Sequence, residues 1–400
     1  MDTSESLLRG RVEQLRAGAE TQGLQALLIF SCAARQLSGS STLGYLRYLL
    51  DWTAWGSPSL FVLPVQGSPT LVVPIPGDVE AAHEMLPWIV DVRNAATLDY
   101  GELALQLLLE HGIRGRVGVV GMHDLNHAIH TDLVRSSPEW TLEESDALLD
   151  LPRMVKDAAS LEGMRAAAAT CDVMLAKLQE ALRRPGIPAW QAQVEMESAG
   201  RLNGAEAVFS WFVSGPKPDH PRVRRGENAR LIQSGDSIVV GLIILQHGFY
   251  GHTLRTFSIG KPSEEQFWVW QAVNEAQSQS AVLFRPGSSI SAPNRMAETV
   301  MFEKFPEARH GDKIRFRPCH FIGMDYAEYP SARITNLAVP PVSAEKDMLI
   351  QAGMTMEIHP NLRPPGLSFG AVGDVYVATL QGGECLSHFP RQLVVIEPTE

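Results

Sequence analysis

The sequence predicts an α+β protein in two parts: a small α/β domain over residues 1–152, then a larger domain over 153–400 with a mostly antiparallel sheet. Three observations predict it. Short apolar strands alternate with helical stretches as far as about residue 150. A long Ala- and Leu-rich run starts at Asp157. From residue 208 onward strand patterns dominate, interrupted by one clear helix. Alternation builds an α/β layer, whereas strands gathered in one region build an α+β one.

The elements follow in order. Residues 6–22 read as an amphipathic helix and "ALLIF" (26–30) as a short buried strand. "SLFVLPVQGSPTLVVP" (59–74) is a hairpin, with Gln66-Gly67-Ser68-Pro69 as its turn. "AAHEMLPWIVDV" gives a helix then a strand, "YGELALQLLLEHG" a helix stopped at Gly112, and "RVGVVG" a strand. The second domain opens with a long helix from Asp157, favoured by Ala and Leu and ended by Pro185-Gly186. A second helix spans 188–201. Strands are expected at 208–213, 237–245, 252–258, 315–322, 354–360 and 373–380, with a helix over 264–284.

Composition narrows the function. Hydrophobic residues make up 45% and charged residues 20%, the balance of an ordinary globular protein. A net charge of −11 with no basic block argues against nucleic acid or an anionic membrane as partner. The start lacks the pattern of a signal peptide, and no apolar run reaches the ~18 residues of a membrane span. Cys32, Cys171, Cys319 and Cys385 are far apart, which suits free thiols and a cytoplasmic location.

His123 and His127 in "HDLNHAIH", with His130 beside them, have metal-like spacing but no accompanying Glu, so that signal is weak. His220, His252, His320 and His359 all fall at strand ends or loops of the β-rich half. If the 237–257 hairpin is symmetric, Gly241 and His252 lie opposite each other. A glycine in a strand marks the close approach of another group. The plain alternative is a bulge beside an ordinary histidine. Alternation places Glu357 on the face of His359, as a partner for an imidazole N–H or as a structural carboxylate.

"RMVKDAASLEGMRAAAATCDVML", "GDSIVVGLIILQHGFYGHTLRTF", "HFIGMDYAEYP", "AGMTMEIHP" and "GDVYVATLQGGECLSHFP" occur in that order. Together they resemble the pita-bread family of creatinase, Xaa-Pro aminopeptidases and methionine aminopeptidases. "WFVSG", "LIQSGD" and "HFPRQLVVI" are most similar to creatinase. The resemblance implies a creatinase-like N-terminal α/β domain, a pita-bread catalytic domain and a homodimer. In the family's metallopeptidases, two aspartates, a histidine and two glutamates hold two metal ions. Those positions here are Gly241, His252, His320, His359 and Gly373, so only the histidine matches. The expectation is therefore one ion, zinc or iron, held by His252, His320 and His359. The two glycines are expected to leave room for water, oxygen or substrate.

Creatinase itself works without metal, through a loop histidine that matches His220; its glutamate positions fall at Leu254 and His359. His220 and Glu357 are the candidate catalytic residues. Asp325, Glu328 and Asp374 remain as nearby acids. Arg222, Arg224 and Arg255 are candidate anchors for a substrate carboxylate, unless the first two lie on a solvated face and Arg255 is structural. The resemblance also implies a pocket loop at 47–58, where Trp52 and Trp55 form a substrate wall or serve as core or dimer contacts. The reading is a hydrolase of C–N bonds in a small polar nitrogen compound. An iron oxygenase, a metal-free hydrolase or lyase using His220, and a non-catalytic binding module are the alternatives.

Overall fold

The computed structural model describes residues 4–32, 42–53, 56–95, 99–136, 140–218, 229–309, 318–331, 348–364 and 366–397. The chain divides into two compact units. One is Met1–Met154 with Met324–Tyr326; the other is Val155–Gly323 with Ala327–Glu400.

The first unit runs α1 (Glu5–Thr21), β1 (Ala26–Ser31), α2 (Leu43–Leu50), β2 (Ser59–Pro64), β3 (Thr70–Val73), α3 (Asp78–Met85), β4 (Asp91–Asn94), α4 (Tyr100–Glu110), β5 (Arg116–Val120), α5 (His127–Arg135), β6 (Thr141–Glu144) and α6 (Ala147–Met154). Its sheet has the order β4-β3-β2-β1-β5-β6. β1 is buried throughout because helices cover both faces. Leu27 and Ile29 pack with Leu8, Val12 and Leu15 of α1, while Leu28 and Phe30 pack with Tyr100 and Leu107 of α4.

The second unit runs α7 (Ala158–Ala181), α8 (Ala189–Leu202), β7 (Ala207–Gly215), β8 (Ser237–Gln246), β9 (Phe249–Ile259), α9 (Glu264–Leu283), α10 (Ala292–Lys304), β10 (Cys319–Phe321), β11 (Thr355–Ile358), β12 (Asn361–Leu362), β13 (Gly370–Ala371), β14 (Asp374–Thr379), β15 (Gly382–Cys385) and β16 (Val394–Ile396). Two four-stranded sheets result, β16-β9-β8-β7 and β10-β11-β14-β15. On the first, Ile238, Val240, Leu242 and Ile244 of β8 pack under α7 and α8. The opposite face carries Val239, Leu254 and Trp211 and turns inward. Mutual N–H···O bonds of 3.0 Å between Leu254 and Gly373 join β9 to the segment entering β14. This is the expected two-domain α+β architecture.

The hairpin register differs from the symmetric expectation. His247 and Gly248 both adopt positive φ, 50° and 77°, and make a two-residue turn that pairs Gln246 with Phe249. Counting back from that turn sets His252 opposite Ile243, and Gly241 opposite Leu254 and Trp211.

Candidate metal centre

Three strands each bring one imidazole to the same place. His252 shares the inward face of β9 with Leu254, His320 is the middle residue of β10, and His359 follows the last residue of β11. One nitrogen from each lies within 4.8 Å of the other two, and all three rings are buried. Ring centroids are 5.7 Å apart for His252 and His320, and 5.1 Å for each ring with His359. The separate strands thus converge, as single-ion binding requires.

Neighbours fix the ring orientations. His320 Nδ1 lies 3.1 Å from the Phe321 carbonyl oxygen, so that edge donates and Nε2 remains for the centre. His359 Nδ1 lies 3.1 Å from the Asn361 side-chain amide, which also donates to the His359 carbonyl oxygen at 3.0 Å. His252 Nδ1 lies 3.8 Å from Glu357 Oε1. Glu357 is directly opposite His320 across the β10–β11 ladder and is 0% exposed. Burial, and then the nearby Asp374 carboxylate, push its carboxyl well above the usual carboxylate range.

The two glycines are tight rather than open. A Cβ at Gly241 would fall closer than 3.0 Å to Cε2, Cζ2 and Nε1 of Trp211, so the indole already fills that space. A Cβ at Gly373 would lie 2.5 Å from His359 Cβ, 2.8 Å from Glu357 Oε1 and 2.9 Å from Leu254 Cδ1. Trp211 in turn packs on Phe369 with ring centroids 5.8 Å apart. The indole therefore takes the space beside Gly241, and His359, Glu357 and Leu254 take that beside Gly373, where room for water or substrate was expected.

Arg255 takes a structural place instead of contacting substrate. It is 0% exposed and lies on the opposite face of β9 from His252. Its Nε donates to Pro390 O at 2.9 Å, Nη1 to Leu254 O and Gly373 O, and Nη2 to Asp374 Oδ1 at 2.7 Å and Phe389 O at 2.9 Å. Gln277 Nε2 of α9 donates to Asp374 Oδ2 and to Ile358 O. Asp374 is thereby held away from the imidazoles.

Trp52 is likewise a core residue of the α/β unit, with Nε1 donating to Ser59 Oγ at 3.1 Å, and it has no face free for a substrate. Asp325 accepts from Arg153 and from the Gly44 amide; Glu328 pairs with Lys156. His123 sits in a 3-10 turn against Asp146, apart from the helix that begins at His127, so the two do not form a helical pair. Trp55, His220, Arg222 and Arg224 lie outside the described residues. Among the described residues, the three-histidine group is the one cluster with metal-ligand geometry.

A family model described as metallopeptidase family M24 matches residues 162–380. The chain belongs to this family. Relatives include the probable dipeptidase PepE of Mycobacterium tuberculosis, 26% identical over 246 residues, 61% of each chain. The Xaa-Pro dipeptidase of Pyrococcus furiosus is 23% identical over 62% of this chain and 67% of that one. The chain thus spans 61% of the length of the curated PepE relatives it matches. Among solved structures, the dipeptidase PepE from Mycobacterium ulcerans aligns with a TM-score of 0.77 at 26% identity, covering 99% of this chain and 100% of that one. The prolidase from Pyrococcus horikoshii, at 19% identity and a TM-score of 0.75, shares the fold.

Membership in a metallopeptidase family makes a divalent ion the expected cofactor, and the donors present decide what fits. The M24 chain has no carboxylate at 241 or 373, and Trp211 fills the space beside Gly241, so a shared-carboxylate pair of ions does not fit. Three buried imidazoles fit one borderline ion such as zinc or iron. Sequence reasoning missed Asn361 and Trp211. Asn361 left one signal, an amide side chain two residues after a ligand-type histidine; Trp211 becomes visible only once the strand register is known. No helix among the described residues is long and apolar enough to cross a membrane.

Proposed function

We propose that this M24 protein is a hydrolase of C–N bonds whose His252, His320 and His359 hold a single divalent ion, zinc or iron. The observation that carries the reading is the convergence of the three buried imidazole nitrogens within 4.8 Å. Relatives named as dipeptidases support amide-type C–N cleavage over other chemistries. Such an ion polarises a carbonyl and makes water nucleophilic near neutral pH.

The chain's own residues prepare that site. Phe321 O accepts from the Nδ1 edge of His320 and leaves its Nε2 for an ion. Asn361 meets the Nδ1 edge of His359, and binding of an ion through Nε2 would require that amide to turn its oxygen to the ring. Trp211, Phe369 and Leu254 pack together on the face that carries His252, and such apolar neighbours lower the local dielectric. The substrate is a small nitrogen compound, and the protein acts as a cytoplasmic homodimer.

Elemental analysis of protein purified without an affinity tag tests this reading. About one zinc or iron per chain is expected, lost in His320→Ala, together with release of an amine from dipeptide or amide substrates. Metal-free protein with undiminished activity would sink it. Stoichiometric oxygen consumption with the iron-loaded protein would transfer the reading to an oxygenase.

A further inference from the structure

We infer that Glu357 is a fourth, anionic donor of the three-histidine centre, and that Gly373 is glycine because a side chain there would displace that carboxylate; this rests on the single-ion reading above.

Glu357 is completely buried, and neither of its oxygens has a hydrogen-bond partner among the described residues. A buried carboxylate in that condition costs several kcal/mol unless a positive charge faces it or it takes up a proton. Arg255 acts on it only through space and makes no hydrogen bond to it. Arg255 spends Nη2 on Asp374 Oδ1 and Phe389 O, and its other donors on backbone carbonyls. Asp374 makes no hydrogen bond to it either: Arg255 and Gln277 meet the Asp374 oxygens, and both Glu357 oxygens are without a partner among the described residues.

Glu357 faces the imidazoles instead. It stands directly across the ladder from His320, on the same side of the sheet. Its Oε1 is 3.8 Å from His252 Nδ1. The same oxygen lies 2.8 Å from where a Gly373 Cβ would be. A carboxylate at 357 and a side chain at 373 therefore exclude each other. Three neutral nitrogens and one carboxylate make a harder, singly anionic donor set than three imidazoles alone. That set shifts preference from zinc toward iron(II) or manganese(II).

The test uses the full chain, stripped with a chelator and reloaded with cobalt(II), whose d–d absorption reports donor number and type. Wild type is compared with Glu357→Gln, which keeps the shape, and Glu357→Asp, which keeps the charge but withdraws it. The inference expects Glu357→Gln to change the cobalt bands and weaken binding on the order of 10- to 100-fold, with Glu357→Asp in between. Thermal melts of the stripped forms check folding; stripped Glu357→Gln is expected to melt no lower than stripped wild type. Wild-type bands and affinity in Glu357→Gln would overturn the inference, and so would weakened binding with unchanged bands. In either case, cobalt binding that is lost in His320→Ala would leave the three-histidine reading standing. No cobalt binding by wild type itself would remove both.

Discussion

Trp211 lies across the strand pair from Gly241 and fills the volume a side chain at 241 would need. In the family resemblance, position 241 carries an aspartate for a second ion. Here the glycine and the indole are one feature: the residue is small because its neighbour is large. Gly241→Asp should therefore not create a second metal site. Overpacking alone is expected to cost about 1–3 kcal/mol, measured by urea denaturation. Trp211→Ala in the same chain should recover part of that loss, since contacting residues are non-additive. Equal stability of Gly241→Asp and wild type would show that the indole yields freely.

Removing the ion should lower stability, because a ligand that binds only the native state stabilises it by mass action. With free ion at ~100 times its Kd, about 2.7 kcal/mol is at stake. Differential scanning calorimetry of chelated and reloaded protein should separate the two melts, and His359→Ala should melt at one temperature in both conditions. A chelator-insensitive wild type would contradict metal binding.

Arg255 separates a structural role from a substrate-binding one. Arg255→Met leaves Asp374 buried beside Gln277 with its ionic partner gone, and about 3–5 kcal/mol of stability should be lost. Arg255→Met combined with Asp374→Asn should be milder than Arg255→Met alone. Were Arg255 a substrate anchor, the single variant would raise KM and leave the denaturation midpoint in place.

Asn361 holds one edge of His359. Asn361→Ala should weaken metal binding on the order of 10- to 100-fold, while metal-free stability changes by only about 0.5–1.5 kcal/mol. Titration of the stripped protein with zinc measures the first effect and chemical denaturation the second. Unchanged zinc affinity would show that the imidazole needs no such support.

The site was partly legible in the sequence. Histidines at 252, 320 and 359 stood out as polar residues at the ends of apolar strands, and five ordered segments placed them in one fold. Strand alternation also placed Glu357 near His359. The hairpin register was not legible, because the turn uses positive φ at His247, a residue that carries little turn signal by itself. Two residues of slip paired Gly241 with His252 instead of Leu254, and so hid Trp211. Arg255 was misread for another reason: a sequence shows a cation but not the carbonyls waiting for it, and most of its acceptors lie between residues 373 and 390. Helices α2, α5, α6 and α10 and strands β6, β12, β13, β15 and β16 were missed, and the loop expected over 47–58 begins inside α2. The last two are short and mostly not fully buried, so they lack the apolar pattern that marks a strand.

The grip of Arg255 and Gln277 on Asp374, Gly373, Ile358 and the segment through Pro390 is made without any of the three imidazoles. Substitutions at 252, 320 and 359 therefore leave those ties in place, so the imidazoles can be varied on an unchanged frame.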